Sequence, residues 1–449
     1  MEAQGQSMKT EGGFRQFASY AGMNILAMAG FSCYILADTF FIAQGMAADG
    51  LAALNLAIPV FSLIAGCGKL LGMGGAIQYS VLGSQGEQDR ANRAFSWSIA
   101  AGLAISVLFV LAGLFAAGPL ARLLGAGGKV LGMTQSYLRV LLYFSPAFIL
   151  EGALLCFVRN DGSPQLAMLA TVCGSLANIL LDYLLIFPLD MGILGAALAT
   201  GVSPLAGLAI LSLHWRKRRR GLCLRPPAGA PWGRILALGF PSLAAELCSG
   251  LAMMAFNLTI LRLEGDLGVA VYGVVANLAI VAVAMFDGLA QGMQPLVSRA
   301  YGGGKEEQTR RLFLWGLSAA LLLAAAMIGA ATLGAGPIAG LFNSQRDPEL
   351  QRMAVQGLRL YFTAMPFAGV NIVAAAYFTA TERALPAQVV TLCQGFVLVL
   401  PALALLSTWL GLTGVWLAVP AAEALTVLVS AATARRTRVE AGRRNSPPA

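Results

Sequence analysis

The chain has 449 residues, of which 58% are hydrophobic and only 11% are charged. Soluble domains have about a quarter of their residues charged, so this composition excludes a soluble enzyme. About 260 apolar residues, at about 20 for each crossing of a bilayer, allow up to about 13 transmembrane helices. The apolar runs are long and do not alternate with polar residues, which excludes a transmembrane β-barrel.

Apolar windows bounded by glycine, proline and charged residues predict an all-α integral membrane protein with twelve transmembrane helices. In chain order the predicted spans are residues 17–44, 51–80, 93–118, 132–158, 165–187, 192–213, 233–262, 268–298, 309–334, 350–380, 386–407 and 413–434. The first span is too long for a signal-peptide core and has no small-residue cleavage site at its end. We therefore expect it to remain in the mature chain.

The basic residues predict how the chain is oriented in the membrane. If the N-terminus is cytoplasmic, 22 of the 30 Lys and Arg residues fall on the cytoplasmic side, 7 fall outside, and Lys69 lies within a span. Cytoplasmic segments of membrane proteins carry such an excess of Lys and Arg. Both termini are therefore predicted to be cytoplasmic. The net charge of +9 fits basic residues that lie beside the anionic lipids of the cytoplasmic leaflet, and it does not require nucleic acid as a partner.

Punctuating residues recur at an offset of 218 along the chain. Gly74 and Ser80 correspond in this way to Gly292 and Ser298. Such recurrence indicates an internal repeat, and six spans in each copy give the two copies the same orientation. We predict two six-helix bundles related by an axis along the membrane normal. The predicted parts are an N-terminal lobe at 1–213, a basic cytoplasmic linker at 214–232, a C-terminal lobe at 233–434 and a basic cytoplasmic tail at 435–449.

Polar side chains within spans are costly, about 2.5 to 3.5 kcal/mol each at the membrane centre, and therefore suggest function. Asp38, Asp182 and Thr200 are each expected about 8 to 12 Å below the outer surface. Asn178 lies one helical turn from Asp182, and Tyr34 lies one turn from Asp38. These five residues predict a coupling-ion site in which two carboxylates share a proton or a small cation. The alternative is two carboxylates that are satisfied separately and serve structure alone.

A second set of intramembrane polar residues is a candidate for a substrate site or a second ion site: Glu246, Asp287, Glu151 and Asn371. Lys69 and Glu151 are both expected in the inner half of the first bundle, where they are predicted to form a buried ion pair. At the repeat offset Lys69 aligns with Asp287, and Glu151 aligns with Asn371. The cavity between the bundles is therefore expected to have opposite polarity in its two halves.

Other features of the sequence limit the function further. Glu423 is open to either cation binding or helix packing, and His214 is expected to be a solvated loop residue because it begins a run of charges. Six of the seven cysteines lie in apolar runs and are expected to pack in helices. The sequence has no phosphate-binding loop and no cluster of His and Cys ligands. We therefore predict neither an enzyme nor a cofactor other than H⁺ or Na⁺.

Five segments together resemble a known family in their order and spacing. They are residues 38–42 (DTFFI), 83–89 after the second span, 159–164 (RNDGSP), 178–183 (NILLDY) and 291–296 (QGMQPL). Over about residues 14–434 the chain resembles the multidrug and toxic compound extrusion (MATE) family of bacterial exporters.

This resemblance implies two six-helix lobes around a cleft in the bacterial plasma (inner) membrane. It also implies export of small organic cations by antiport against H⁺ or Na⁺, and we expect the protein to be a monomer. The first-lobe cation site of such proteins looks like the set Asp38, Asn178, Asp182 and Thr200, while Asp287 departs from the family pattern. The alternative function is a flippase for lipid-linked precursors, which shares the layout but would favour a cavity rich in Arg and Lys.

Overall fold

The structure is a computed structural model that describes residues 2–217, 221–342 and 348–444, and this part of the chain is helical with no strand. Of the positions discussed above, the side chains at 9, 33, 217–220, 346 and 435–449 lie outside the described residues. The helices are α1 (Glu2–Ser84), α2 (Gln88–Phe115), α3 (Ala117–Leu123), α4 (Gly128–Tyr143), α5 (Ser145–Asn160), α6 (Pro164–Ile186), α7 (Gly192–Ser212), α8 (His214–Lys217), α9 (Trp232–Gly302), α10 (Glu306–Leu333), α11 (Ala335–Phe342), α12 (Pro348–Tyr361), α13 (Met365–Ala380), α14 (Ala384–Leu392), α15 (Val399–Leu410) and α16 (Leu412–Arg444).

These helices supply twelve membrane spans, as predicted. Eleven are single stretches: Gly13–Met46, Ala52–Ser84, Gln88–Phe115, Pro164–Ile186, Gly192–Arg216, Trp232–Gly265, Leu267–Gly302, Glu306–Leu333, Pro348–Ala380, Ala384–Leu410 and Leu412–Thr433. The remaining span, the fourth, is the pair α4 and α5, which bend by 51° at Phe144. Spans 7 and 8 part at Gly265, whose φ of 63° suits glycine. The ends agree with the sequence prediction to within about five residues because charged and Gly/Pro clusters mark where apolar runs stop.

Connections between spans define two faces of the protein. We call the basic face the side on which odd-numbered spans begin, formed by the connections at 85–87, 161–163, 303–305 and 381–383 and by residues 221–231, and the distal face the opposite side. Residues 223–228 of the segment between the lobes lie along the basic face against α2. There the Cys223 and Arg225 backbone N–H groups donate to Asn92 Oδ1 (3.3 Å) and Ser96 Oγ (2.7 Å).

The two lobes cross each other through glycines placed symmetrically in the repeat. A Cβ atom added at Gly74 of span 2 would lie 1.9 Å from the carbonyl oxygen of Ile235 of span 7. At Gly292 of span 8, the equivalent position, an added Cβ would lie 2.6 Å from the carbonyl oxygen of Tyr20 of span 1. Both crossings therefore bring helix backbones into direct contact, which a side chain at either glycine would prevent.

Polar contacts join the lobes beside these crossings. Ser298 Oγ donates to Ser80 Oγ at 2.9 Å, and the two serines are separated by the repeat offset of 218 residues. The axis that relates the lobes therefore passes between them, which confirms the parallel repeat. Arg299 donates to the carbonyl oxygen of Asn160, and Gln78 donates to Glu382. These contacts hold the lobes together at the basic face.

Replacing Gly74 with alanine is expected to part the lobes at the basic face, because the new Cβ would collide with the Ile235 carbonyl oxygen. The rate at which cysteines placed at positions 80 and 298 form a disulfide in membranes measures how close the lobes are at the basic face. The Ser80→Cys/Ser298→Cys protein should form the disulfide readily, and adding Gly74→Ala should slow its formation about tenfold or more, since bridging requires close Cα atoms. Gly250→Ala is the control, because its Cβ would meet no atom within 4 Å. Equal rates of cross-linking in the two glycine variants would contradict this account.

Candidate functional site

The five residues predicted to form an ion site come together inside the first lobe. Asp38 of span 1 is 8% exposed, and Asp182 of span 5 is completely buried. Their carboxyl groups approach within hydrogen-bonding range of each other. Tyr34, one turn before Asp38, lies close enough to feel the charge of both carboxylates. Thr200 of span 6 is buried beside them.

Asn178 connects the carboxylate of Asp182 to span 6. With its amide oriented to suit both neighbours, Asn178 Nδ2 donates to Asp182 Oδ2 at 2.8 Å, and its Oδ1 accepts from the backbone N–H of Thr200 at 3.3 Å. The two residues of span 5 can cooperate because a spacing of four places them on one helix face. Asn178 therefore fixes the position of Asp182 relative to Thr200.

Tyr137 also belongs to this site, although the sequence analysis did not single it out. It lies on α4, is 2% exposed, and its hydroxyl lies near Thr200 and faces the charge of Asp38, while Thr200 Oγ1 has no hydrogen-bond partner among the described residues. A signal for it exists in the sequence, since the hydroxyl of a buried tyrosine favours polar surroundings. Finding those surroundings requires the packing of α4 against α7, which spacing along the chain does not give.

One oxygen of each carboxylate lacks a partner. Asp38 Oδ1 and Asp182 Oδ1 are buried without a hydrogen bond among the described residues. Leaving such an oxygen unpaired in the interior is unfavourable, and a shared proton or a small cation would satisfy both oxygens. Within the described part of the chain, no group of three or more His, Cys, Asp and Glu residues is arranged to hold a metal ion. A bound Na⁺ would therefore need neutral oxygens besides the two carboxylates.

The ion pair predicted between Lys69 and Glu151 is wrong. Lys69 of span 2 instead pairs with Glu246 of span 7, in the other lobe. Spans 2 and 7 approach closely here, since a Cβ added at Gly239 of span 7 would lie 1.9 Å from the carbonyl oxygen of Leu70, the neighbour of Lys69. Glu151 turns into the first lobe, where its Oε1 occupies the space beside Gly207. Depth within the membrane, the basis of the prediction, does not reveal which helix a side chain faces.

The four candidate substrate residues lie in three separate places in the structure. Asp287 of span 8 lies within electrostatic range of Lys69 and Glu246, across the boundary between the lobes from Lys69. Asn371 lies in the core of the second lobe and donates to Glu423 Oε2 at 2.7 Å and to its carbonyl oxygen at 2.9 Å. Glu423 therefore joins two helices of that lobe, and Glu246 and Asp287 are the pair that the structure brings together.

His214 is not the solvated residue that we predicted. It is 3% exposed, and its Nε2 lies 2.7 Å from Asp161 Oδ2. The hydroxyl of Tyr79 donates to the other carboxylate oxygen, Asp161 Oδ1, at 2.8 Å. Span 6 extends as far as Arg216, so that His214 remains on a membrane helix and turns toward the lobe instead of into the charged linker. Asp161 therefore ties together the ends of spans 2, 4 and 6.

The fold and the buried polar groups define a class of protein. Two pseudo-symmetric helical bundles with acids at mid-membrane depth are the architecture of a membrane transporter. The MatE family model matches residues 24–184 and 241–405, which lie in both lobes. The chain therefore belongs to the MATE family of transporters, as its sequence motifs predicted.

Comparisons with individual proteins agree with this assignment. The chain is 27% identical over 403 residues to the multidrug export protein MepA of Staphylococcus saprophyticus, and 27% identical over 401 residues to MepA of Staphylococcus aureus strain MRSA252, covering 88% of both chains in each case. A solved structure of a multidrug resistance MATE family transporter in an outward-facing conformation superposes with a TM-score of 0.89, at 24% identity over 96% of both chains. A MOP superfamily transporter from Pyrococcus furiosus superposes with a TM-score of 0.86, at 24% identity over 95% of this chain and 96% of that one.

Asn178→Leu is expected to destabilise the first lobe, because it leaves Asp182 and the Thr200 N–H group without their partner. The loss in free energy of unfolding should be about 1 to 3 kcal/mol, the cost of unpaired buried polar groups. Unfolding of the purified protein in detergent measures it. Asn257→Leu, the same change at a half-buried position of span 7, should cost less. A smaller loss for Asn178→Leu than for this control would count against the assigned hydrogen bonds.

His214→Ala is expected to lower stability by about 1 to 3 kcal/mol, because it removes a buried partner of the Asp161 carboxylate. The neighbouring change Arg216→Ala, at an exposed side chain, should alter stability by less than about 0.5 kcal/mol. Both values come from the same unfolding measurement in detergent. Similar losses in the two variants would mean that His214 is solvated after all.

Proposed function

We propose that the protein is a secondary active antiporter that exports cationic amphipathic compounds in exchange for H⁺ or Na⁺. The buried carboxyl pair of Asp38 and Asp182, in which each residue has one oxygen without a partner, carries this proposal. Two carboxylates this close repel each other when both are ionised, and binding a proton or a cation relieves that repulsion. The export activity printed in the names of the MepA relatives is consistent with it.

Span 1 can couple ion binding to transport because it carries part of the ion site and also contacts the second lobe. Its distal half carries Tyr34 and Asp38, while its other half packs against Gly288 and Gly292 of span 8 in the second lobe. An ion that binds the Asp38 site more tightly in one arrangement of the lobes shifts the protein toward that arrangement. By the same linkage, the ion and the exported compound each change the affinity for the other.

The orientation of the protein gives transport its direction. The excess of Lys and Arg supports a cytoplasmic basic face in the bacterial plasma membrane, with both termini inside. In that orientation the contacts around Ser80 and Ser298 lie at the cytoplasmic side and would close it. Entry of H⁺ or Na⁺ at Asp38 and Asp182 from outside then favours release of the exported compound.

The charges between the lobes favour organic cations as the exported compounds. Glu246 and Asp287 together outweigh the single positive charge of Lys69. A flippase for lipid-linked precursors would favour a cavity rich in Arg and Lys to hold pyrophosphate, whereas here Glu246 and Asp287 outnumber Lys69. The flippase is therefore the weaker candidate.

Uptake of a fluorescent organic cation such as ethidium into inverted membrane vesicles tests this function. A lumen loaded with acid or with Na⁺ should drive uptake, and dissipating the effective gradient should abolish it. Asp38→Asn and Asp182→Asn should each lower the initial rate about tenfold or more, since each removes a charge that binds the coupling ion.

Asp190→Asn is the matched control, because this exposed aspartate lies in the connection after span 5 and should transport at the wild-type rate. The function would be refuted by uptake that neither gradient alters. The proposed site would be refuted separately by driven uptake that is equal in wild type, Asp38→Asn and Asp182→Asn.

A further inference from the structure

Three charged side chains lie near one another between the lobes at mid-membrane depth. Lys69 of span 2 forms an ion pair with Glu246 of span 7, and Asp287 of span 8 lies within electrostatic range of both. The Lys69 side chain is 37% exposed and that of Glu246 is 26% exposed. Side chains this deep in a membrane span that remain partly exposed line an internal cleft. We call these three residues the cleft triad.

The cleft triad lies at the axis of the repeat. Lys69 and Asp287 are separated by 218 residues, the same offset that relates the hydrogen-bonded pair Ser80 and Ser298. Each charged residue lies eleven positions before its serine, about 16 Å along the helix. The repeat therefore places Lys69 and Asp287 at equivalent positions on the two sides of the cleft. A compound bound between the lobes must pass both.

The formal charges of the cleft triad do not cancel. One ammonium group faces two carboxylates, so that a single negative charge remains. The ammonium group of Lys69 already occupies a position that an exported cation would take beside Glu246. Because the pair is partly exposed, it contributes little to stability, and its ammonium group can be displaced. The Lys69 side chain therefore acts as a cation that is part of the protein and is already bound in the cleft.

Building on the proposed export of organic cations, we propose that Lys69 is the residue that selects the charge of the exported compound. With Lys69 present, the residual single negative charge matches a compound with one positive charge. A compound with two positive charges meets added repulsion from the ammonium group, which lies within a few ångströms of the second charge. Without Lys69, two carboxylates remain and match a dication.

Equilibrium binding of two cations of nearly the same shape tests this selection. Methylphenylpyridinium carries one charge on two linked aromatic rings, and methyl viologen carries two charges on the same framework. The purified full-length protein in lipid nanodiscs should bind the monocation more tightly. Lys69→Gln should shift the ratio of the two dissociation constants toward the dication by about tenfold or more, whereas Lys69→Arg should keep the wild-type ratio. Lys129→Gln, at the distal face, is the control for loss of a lysine elsewhere.

A compensating variant separates charge selection from a structural role. Lys69→Gln/Glu246→Gln again leaves one negative charge, on Asp287, and should return the ratio toward the wild-type value. A purely structural ion pair would give no such return. The proposal is overturned if Lys69→Gln leaves the ratio unchanged, or if the double variant keeps the ratio of Lys69→Gln. If the wild type binds neither cation and vesicles accumulate no ethidium, the proposed function itself fails.

Discussion

The rest of the structure depends on direct contact between helix backbones of the two lobes at Gly74 and Gly292. No other residue type fits at these crossings, because any Cβ atom would overlap a carbonyl oxygen of the facing helix. The two crossings are copies of each other in the repeat, and the hydrogen bond between Ser80 and Ser298 marks the axis between them. Both lie in the half of the membrane next to the basic face. These crossings close the space between the lobes at the basic face, so the polar groups between the lobes are not accessible from that side.

Span 1 connects the two kinds of site. Its first half belongs to the apolar core of the second lobe, where Phe17 and Tyr20 are buried, although the chain assigns it to the first lobe. Its second half carries Asp38 into the buried carboxyl pair. In the proposed function, a charge bound by the pair acts on a helix that also forms an interlobe crossing. The cleft triad lies outside the first lobe's interior, so the proposed coupling ion and exported cation would occupy different places and would affect each other through the lobes.

Much of this architecture could be predicted from the sequence because it follows from local pattern. Apolar length gave the spans, the offset of 218 gave the repeat, and depth with helical spacing brought Asp38, Asn178, Asp182 and Thr200 together. Partners across helices were not predictable in this way. Lys69 pairs with Glu246, which is distant in sequence, because Gly74 and Gly239 let the backbones of spans 2 and 7 approach. The charges that follow His214 suggested a solvated loop residue, and the apolar residues around Tyr137 in the sequence did not indicate a polar site.

The central claim of the proposed function is that the two lobes alternate between closure at the basic face and closure at the distal face, so that the contact between Ser80 and Ser298 breaks and re-forms. Distances between paired spin labels test it most directly: Glu87 with Lys305 on the basic face, and Leu123 with Leu333 on the distal face, all exposed. Saturating the protein with methylphenylpyridinium, and then changing pH or Na⁺, should move the two distances in opposite directions. Distances that both stay constant, or that lengthen and shorten together, would contradict the account.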